Sequence, residues 1–349
     1  MQYTQFGSTG LIVSRLALGG STFTLGDKAL GAFYKVGPEL AGEMVAMALD
    51  AGVNYFDTAD VYASGGSETM LGQALKPHRE KVVISTKVGN RGAGNRELLQ
   101  TGLSRRHILW SVDESLKRLG TDWIDILTVH RIDPYAPLEE GLEALDAVVR
   151  SGKVRYVAYS NWPAWQAATA LSLQKQNGWA AFTNGQMYYS LLGRDVERDT
   201  SAMMRHFGLG MSIWSPLAFG FLAGKYTAED MKKDDNRFSN TDWLNFDKDK
   251  AFALLPVLQQ ISGELGCSMA QLAVAWLLTR DRVDTVLLGA TKLSQLEDNL
   301  GAADVTLTAE HLQRLDQATG IAPIYPSADW TAANSIDTIA RKRMGAHAK

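Results

Sequence analysis

Residues 81–130 read KVVISTKV (81–88), GNRGAGNRELLQTGL (89–103), SRRHILWSVDESLKRLG (104–120), TDW (121–123) and IDILTVH (124–130). Two apolar runs of strand length flank a segment with helical periodicity, which a capping Ser104 opens and Gly120 closes. The two runs are apolar almost throughout instead of alternating, as strands covered on both faces require. A strand, a helix and a second strand in this order make a parallel unit.

The unit repeats along the chain. Further strand candidates are RLALGG (15–20), VNYFDTAD (53–60), VRYVAYSN (154–161), AFTNGQMYY (181–189), LGMSIWSPL (209–217) and DTVLLGA (284–290). Helical patterns lie between them. One opens on Pro38, where a missing N–H costs nothing. The stretches PLEEGLEALDAVVRSG and NWPAWQAATALSLQKQNG each end on a glycine. Eight such strands, nearly all leading into a helix, predict an α/β fold of the (β/α)₈ TIM-barrel type. An open doubly wound sheet would usually carry a GxGxxG loop after a strand. Here Gly92-Ala93-Gly94 is followed by Glu97, not by a glycine at that spacing. QYTQF, GSTG and LIVS predict an N-terminal β-hairpin over residues 1–14. The expectation is one barrel domain over 1–349. Its long loops (20–37, 89–103 and 218–249) fall on the catalytic face, and a tail (319–349) is laid over the barrel.

Composition narrows the class. The 349 residues are 46% hydrophobic, ample for one large core, and carry Lys+Arg 35 against Asp+Glu 38. A formal charge of −3 offers no basic face for nucleic acid. No apolar run is long enough to span a membrane, and MQYTQFGSTG does not resemble a signal peptide. One cysteine, Cys267, excludes an internal disulfide and a cysteine-based zinc cluster, and is expected to be a packed side chain. These readings point to a cytoplasmic protein with neither nucleic acid nor membrane as partner; oligomeric state is not legible.

In a barrel, chemistry sits at the carboxyl ends of the strands. The second strand ends at Asp57, with Tyr62 five residues on; the third ends at Lys87 and the fourth at His130. Polar groups at successive strand ends, each after an apolar run, are not what core packing alone produces, although any one of them singly could be a salt-bridged structural residue. Together they suggest a proton-transfer device. A phenol is too weak an acid to be poised at neutral pH, but a lysine ammonium about 4 Å away favours its anion by roughly 4 kcal/mol at an effective dielectric near 20. Burial opposes that effect. Asp57 would hold Lys87 in place and charged, and His130 would orient a substrate oxygen. No side chain is a hydride donor, so redox chemistry here requires a cofactor.

These four residues resemble the catalytic tetrad of the aldo-keto reductase superfamily. DTADVYASGGSE, TVHRIDP, YSNW, GQMYYS, WSPLAFGFLAGKY and LLGATKLSQLEDNL match its motifs in order over about residues 1–318. The likeness is greatest to the branch with bacterial reductases and potassium-channel β subunits. The resemblance implies NADPH-dependent reduction of an aldehyde or ketone, with transfer of the pro-R hydrogen and Tyr62 protonating the oxygen. It implies that Ser160, Asn161 and Gln186 bind the nicotinamide carboxamide and that Trp214 lies against the ring. Ser215, Leu217, Gly220 and Lys225 would follow the pyrophosphate, and Gly289, Thr291, Gln295, Asp298 and Asn299 the adenosine. Arg237 is either a phosphate or adenine clamp or an exposed loop charge. Many members carry an arginine where this chain has Gln295, leaving Lys292 and Arg237 as the nearest cations; NADP is favoured over NAD on family habit alone. Candidates for the substrate pocket are Phe23, Tyr34, Arg131, Trp162, Tyr188, Phe219 and Trp330, with Asp133 beyond His130.

Two rival readings stay open. One is an NADPH-binding regulatory or redox-sensing subunit with slow turnover, against which no long segment precedes the hairpin. The other is a metal-dependent hydrolase, for which the six histidines form no HxH pair. No metal is expected.

Overall fold

The computed structural model describes residues 1–26, 35–91, 97–227, 229–230, 244 and 246–322. A hairpin of β1 (Tyr3–Gln5) and β2 (Ile12–Ser14) precedes β3 (Leu16–Gly19), α1 (Pro38–Asp50), β4 (Tyr55–Asp57), α2 (Gly66–Leu75) and β5 (Val83–Val88). There follow α3 (Arg105–Leu119), β6 (Ile124–Val129), α4 (Leu138–Arg150), β7 (Val154–Ser160), α5 (Ala164–Asn177) and β8 (Phe182–Tyr188). The chain continues through α6 (Thr200–Phe207), β9 (Gly210–Trp214), α7 (Lys248–Leu265), α8 (Met269–Leu278), β10 (Val283–Leu288), α9 (Leu293–Leu300) and α10 (Ala309–Thr319).

Strands β3 to β10 close into a parallel barrel in chain order, with β10 returning to pair with β3. All eight expected strands and the hairpin are present. The largest shortening is in β4, which stops at Asp57 where a strand to residue 60 was expected. Its next carbonyl, that of Thr58, accepts Lys87 Nζ at 2.7 Å and so faces the site.

Two apolar clusters follow from the pleat. Residues pointing out from the barrel pack under the helices as the larger core. Residues pointing in, Ala17, Tyr55, Val83, Ile126, Ala158 and Leu287, fill the lower barrel. Phe6 and Val13 of the hairpin segment join that inner cluster, and the Phe6 ring meets Tyr55 edge-on at 5.9 Å. The hairpin is therefore a plug for the amino-terminal end. Gly7 makes this closeness possible: at φ +56 it lies where a Cβ would come within 2.2 Å of the Thr183 carbonyl. Its N–H donates to Asp284 Oδ2 at 2.8 Å, and Asn184 Nδ2 donates to the same oxygen at 3.1 Å.

Asp284 is buried, and its burial pushes the carboxyl up to about 6 against the opposing pull of the Gly7 N–H, Asn184 and Arg15. A carboxyl whose value is raised on folding stabilises the fold in its protonated form, so stability falls as pH rises from about 4 to about 6 and then levels. The expected contribution is about 3 kcal/mol across that window. Asp284→Asn should flatten this part of the stability–pH curve, as measured by urea unfolding at a series of pH values.

Candidate active site

At the carboxyl end of the barrel, Lys87 projects from β5 into an interior where it is 1% exposed. Its ammonium donates to Asp57 Oδ2 at 2.5 Å and to the Thr58 carbonyl at 2.7 Å. It also lies 4.9 Å from the centre of the Tyr62 ring. Burial is the largest single influence on Lys87 and favours loss of its proton. Asp57 and then Tyr62 outweigh it together, and the lysine is held above its ordinary value. The His130 ring meets Tyr62 edge-on, with centroids 5.8 Å apart. The four residues read from the strand ends thus converge on one point, Tyr62 and His130 partly open and the ion pair beneath them.

The second oxygen of Asp57 carries the network sideways. Gln186 Nε2, from β8, donates to Asp57 Oδ1 at 2.9 Å. Ser160 Oγ, from the end of β7, donates to the Gln186 carbonyl at 2.8 Å and accepts from Asn161 Nδ2 at 2.7 Å. Trp214, at the end of β9, donates its indole N–H to Asn161 Oδ1 at 2.9 Å. Tyr188 packs on Trp214 with ring centres 5.3 Å apart and shares a hydrogen bond with Ser190 Oγ at 2.9 Å. Burial, the main cause, pushes the Tyr188 phenol up to about 12, so it is protonated at neutral pH. Sequence reasoning placed Gln186 in this group but missed its bond to Asp57, which joins the two sets of residues.

Backbone strain gathers on the same face. Among the described residues, the non-glycine positions with positive φ are Ala63, Ser64, Asn161, Ser215, Ala218, Phe219 and Arg282. All but Arg282 lie in segments following β4, β7 and β9. Each costs on the order of 1–3 kcal/mol, and such strain persists where the surrounding structure over-determines the geometry.

The residues meet the demands of a nicotinamide dinucleotide. Asn161, Ser160 and Gln186 present amide and hydroxyl groups together beside a partly open Trp214. Ser215 Oγ accepts the Phe219 N–H at 3.1 Å, shaping a turn that leads past Leu217 to Gly220. A Cβ on Gly220 would come within 3.0 Å of the Lys225 ammonium, so an exposed cation lies against bare backbone there. Gly289 is exposed with open space where a Cβ would lie. Beside it Gln295 Oε1 accepts the Thr291 N–H at 3.0 Å and its hydroxyl at 3.1 Å. Asp298 accepts Ser268 Oγ at 2.8 Å, Asn299 is buried, and Lys292 is exposed.

The substrate-side expectations fare unevenly. Tyr188 ends β8, Phe219 lies in the turn that follows β9, and Arg131 is exposed beside His130. Phe23 is instead buried in the shell under the helices, where its segment bridges to Val36. Trp162 is also a core residue, 5.7 Å from Tyr159 and 5.6 Å from Phe182. It lines a separate cavity of about 320 Å³ behind β6, with Leu103, Val129 and Leu142. Both lie in segments past the strand ends and pack into the core between barrel and helices, which a count of aromatics near strand ends does not register. Asp133 has a holding role: its carboxylate takes both Arg91 Nε and Nη2, at 2.8 and 2.7 Å, and the N–H groups of Leu103 and Tyr135. Arg91 and these N–H groups overcome burial and lower its carboxyl from the usual value. Tyr34, Arg237 and Trp330 lie outside the described residues. No group of three His, Cys, Asp or Glu among the described residues is placed to hold a metal ion. Cys267 is half-buried, and burial pushes its thiol up.

Fold and site together define a (β/α)₈ barrel with a buried Asp57–Lys87 pair beneath Tyr62 and His130 at its carboxyl end. Residues 15–319 match the aldo/keto reductase family, and the chain belongs to that family. A protein named a probable voltage-gated potassium channel subunit beta, from Oryza sativa subsp. japonica, is 36% identical over 326 residues, 90% of this chain and 96% of its own. A protein of the same name from Arabidopsis thaliana is 34% identical over 336 residues, 93% and 99% of the two chains. Versiconal hemiacetal acetate reductase from Aspergillus parasiticus is 31% identical over 350 residues, likewise 93% and 99%.

The ion pair carries a stability prediction. Asp57→Leu strands a buried ammonium and should cost about 3–5 kcal/mol. Adding Lys87→Met should recover most of that loss in denaturant titration.

Proposed function

We propose that the protein catalyses reversible NADPH-dependent reduction of an aldehyde or ketone. The observation that carries this reading is the buried Asp57–Lys87 pair beneath a partly open Tyr62, with His130 edge-on to the phenol. A reduced nicotinamide supplies the hydride when bound. Ser160, Asn161 and Gln186 hold its carboxamide, and Trp214, pinned by Asn161, presents a flat surface to its ring. Lys225 and Lys292 place positive charge on the side of its phosphates, and the preference for NADPH over NADH rests on the family.

The chain's own part in the chemistry is proton transfer. Tyr62 Oη donates its proton to the carbonyl oxygen as charge develops there. The Lys87 ammonium, held charged by Asp57, stabilises the phenolate that remains. His130 orients the oxygen beside Tyr62. Tyr188, Phe219 and Trp214 suit a partly apolar carbonyl compound. The fungal relative named a reductase is in keeping with this reading. The relatives named as channel β subunits support a second one, a cofactor-binding regulatory subunit with slow turnover.

Tyr62→Phe distinguishes the two. On the reductase reading, turnover of aldehydes and ketones falls by a factor of about 10²–10⁴. NADPH affinity, read by fluorescence, stays within about threefold of wild type. A wild-type protein that binds NADPH tightly and reduces no carbonyl would favour the regulatory reading. Unchanged turnover in Tyr62→Phe would remove Tyr62 as the proton donor.

A further inference from the structure

Tyr62 opens a tight turn, Tyr62–Gly65, that the chain does not adopt for its own sake. Ala63 has φ 47 and ψ 43, and Ser64 has φ 54 and ψ 35. Gly65 follows at φ 93. Successive left-handed residues without a side-chain cap unwind unless the surroundings hold both ends. Upstream, Tyr62 is anchored by its N–H to the Ala59 carbonyl at 3.1 Å. Downstream the turn enters α2, where Ser67 and Glu68 are both fully buried.

The partners of these two residues are informative. Ser67 Oγ donates to the Gly20 carbonyl at 2.7 Å and is 2.8 Å from Thr58 Oγ1; the Thr58 carbonyl is the one that receives Lys87. Glu68 Oε1 accepts from Thr86 Oγ1 at 2.6 Å, and Thr86 immediately precedes Lys87 in β5. Glu68 Oε2 accepts from Arg118 Nε, from α3, at 2.6 Å. The stem of that arginine crosses the turn itself. A Cβ on Gly65 would lie 2.6 Å from Arg118 Cδ and 2.8 Å from its Nε.

We propose that Glu68 and Arg118 form a positioning pair for proton transfer, clamping the strained turn of Tyr62 to the strand that carries Lys87. The inference rests on Tyr62 and Lys87 being the proton-transfer pair. Neither residue of the clamp touches the reacting atoms. An ion pair at a buried carboxylate is weak evidence for stability, and we assign this one to the geometry that it fixes. Here that geometry is the separation of the phenol from the ammonium, and the proton affinity of Tyr62 follows from it.

The test compares wild type, Glu68→Gln, Arg118→Met and Arg118→Lys, each as the full chain with NADPH and one aldehyde that wild type reduces. Arg118 is partly exposed, which favours folding of its variants. With the clamp released, kcat falls about 10- to 100-fold while NADPH affinity holds, the size of loss that small misplacements cause. A phenol farther from its ammonium is a weaker acid. The alkaline limb of the kcat–pH profile therefore moves to higher pH, by about half a unit or more. Arg118→Lys, which keeps the charge, falls between wild type and Arg118→Met. A purely structural role would lower the melting temperature and leave rate and profile unchanged, and that result in Arg118→Met overturns the proposal. Should Arg118→Met not fold, a wild-type rate and profile in Arg118→Lys overturns it equally. Absence of reduction by wild type would instead remove the underlying reading of Tyr62 and Lys87.

Discussion

A lysine ammonium at the centre of a barrel is tolerated only where its charge is answered on the spot, and much of this site is arranged to provide that answer. Asp57 supplies a carboxylate at 2.5 Å, and the Thr58 carbonyl a second acceptor. Supplying that carbonyl ends β4 early. Gln186 then satisfies the other oxygen of Asp57, so that neither oxygen of the acid is left buried and unpaired. With its charge met on one side, Lys87 is left directed at Tyr62 on the other. The field that would make a phenol useful near neutral pH is thus a by-product of making the ammonium tolerable.

The same network accounts for where strain is stored. The segments after β4, β7 and β9 carry the left-handed Ala63, Ser64, Asn161, Ser215, Ala218 and Phe219, at the strand ends where the candidate residues sit. The amino-terminal end is built differently, with an apolar plug around Phe6 and Tyr55 and a buried Asp284 that holds the hairpin at Gly7. One end is packed for stability and the other is shaped around polar groups, the usual division of labour in this architecture.

Much of this was legible in the residues. Uniformly apolar strands separated by capped helices specify a parallel barrel, and Asp57, Lys87 and His130 stand out because each ends an apolar run. What escaped sequence reading depends on which way a side chain points. Phe23 and Trp162 resemble pocket residues by position, yet both lie past their strand ends and are buried in the larger core. Asp133 follows His130 closely enough to suggest a place in the site, but its carboxylate holds Arg91 and two loop N–H groups. The bond from Gln186 to Asp57 joins residues 129 positions apart and has no local signature. Glu68 closes the DTADVYASGGSE motif, but its role is not legible there; complete burial between Thr86 and Arg118 supplies one.

The central claim is that a hydride reaches a carbonyl carbon while this site delivers the proton. The most direct test uses NADPH deuterated at the pro-R position of its nicotinamide, an aromatic aldehyde and the wild-type protein, with mass analysis of the alcohol. The account predicts one deuterium on the carbinol carbon of the product. Formation of alcohol without the label, or no alcohol from any aldehyde or ketone offered, would contradict it.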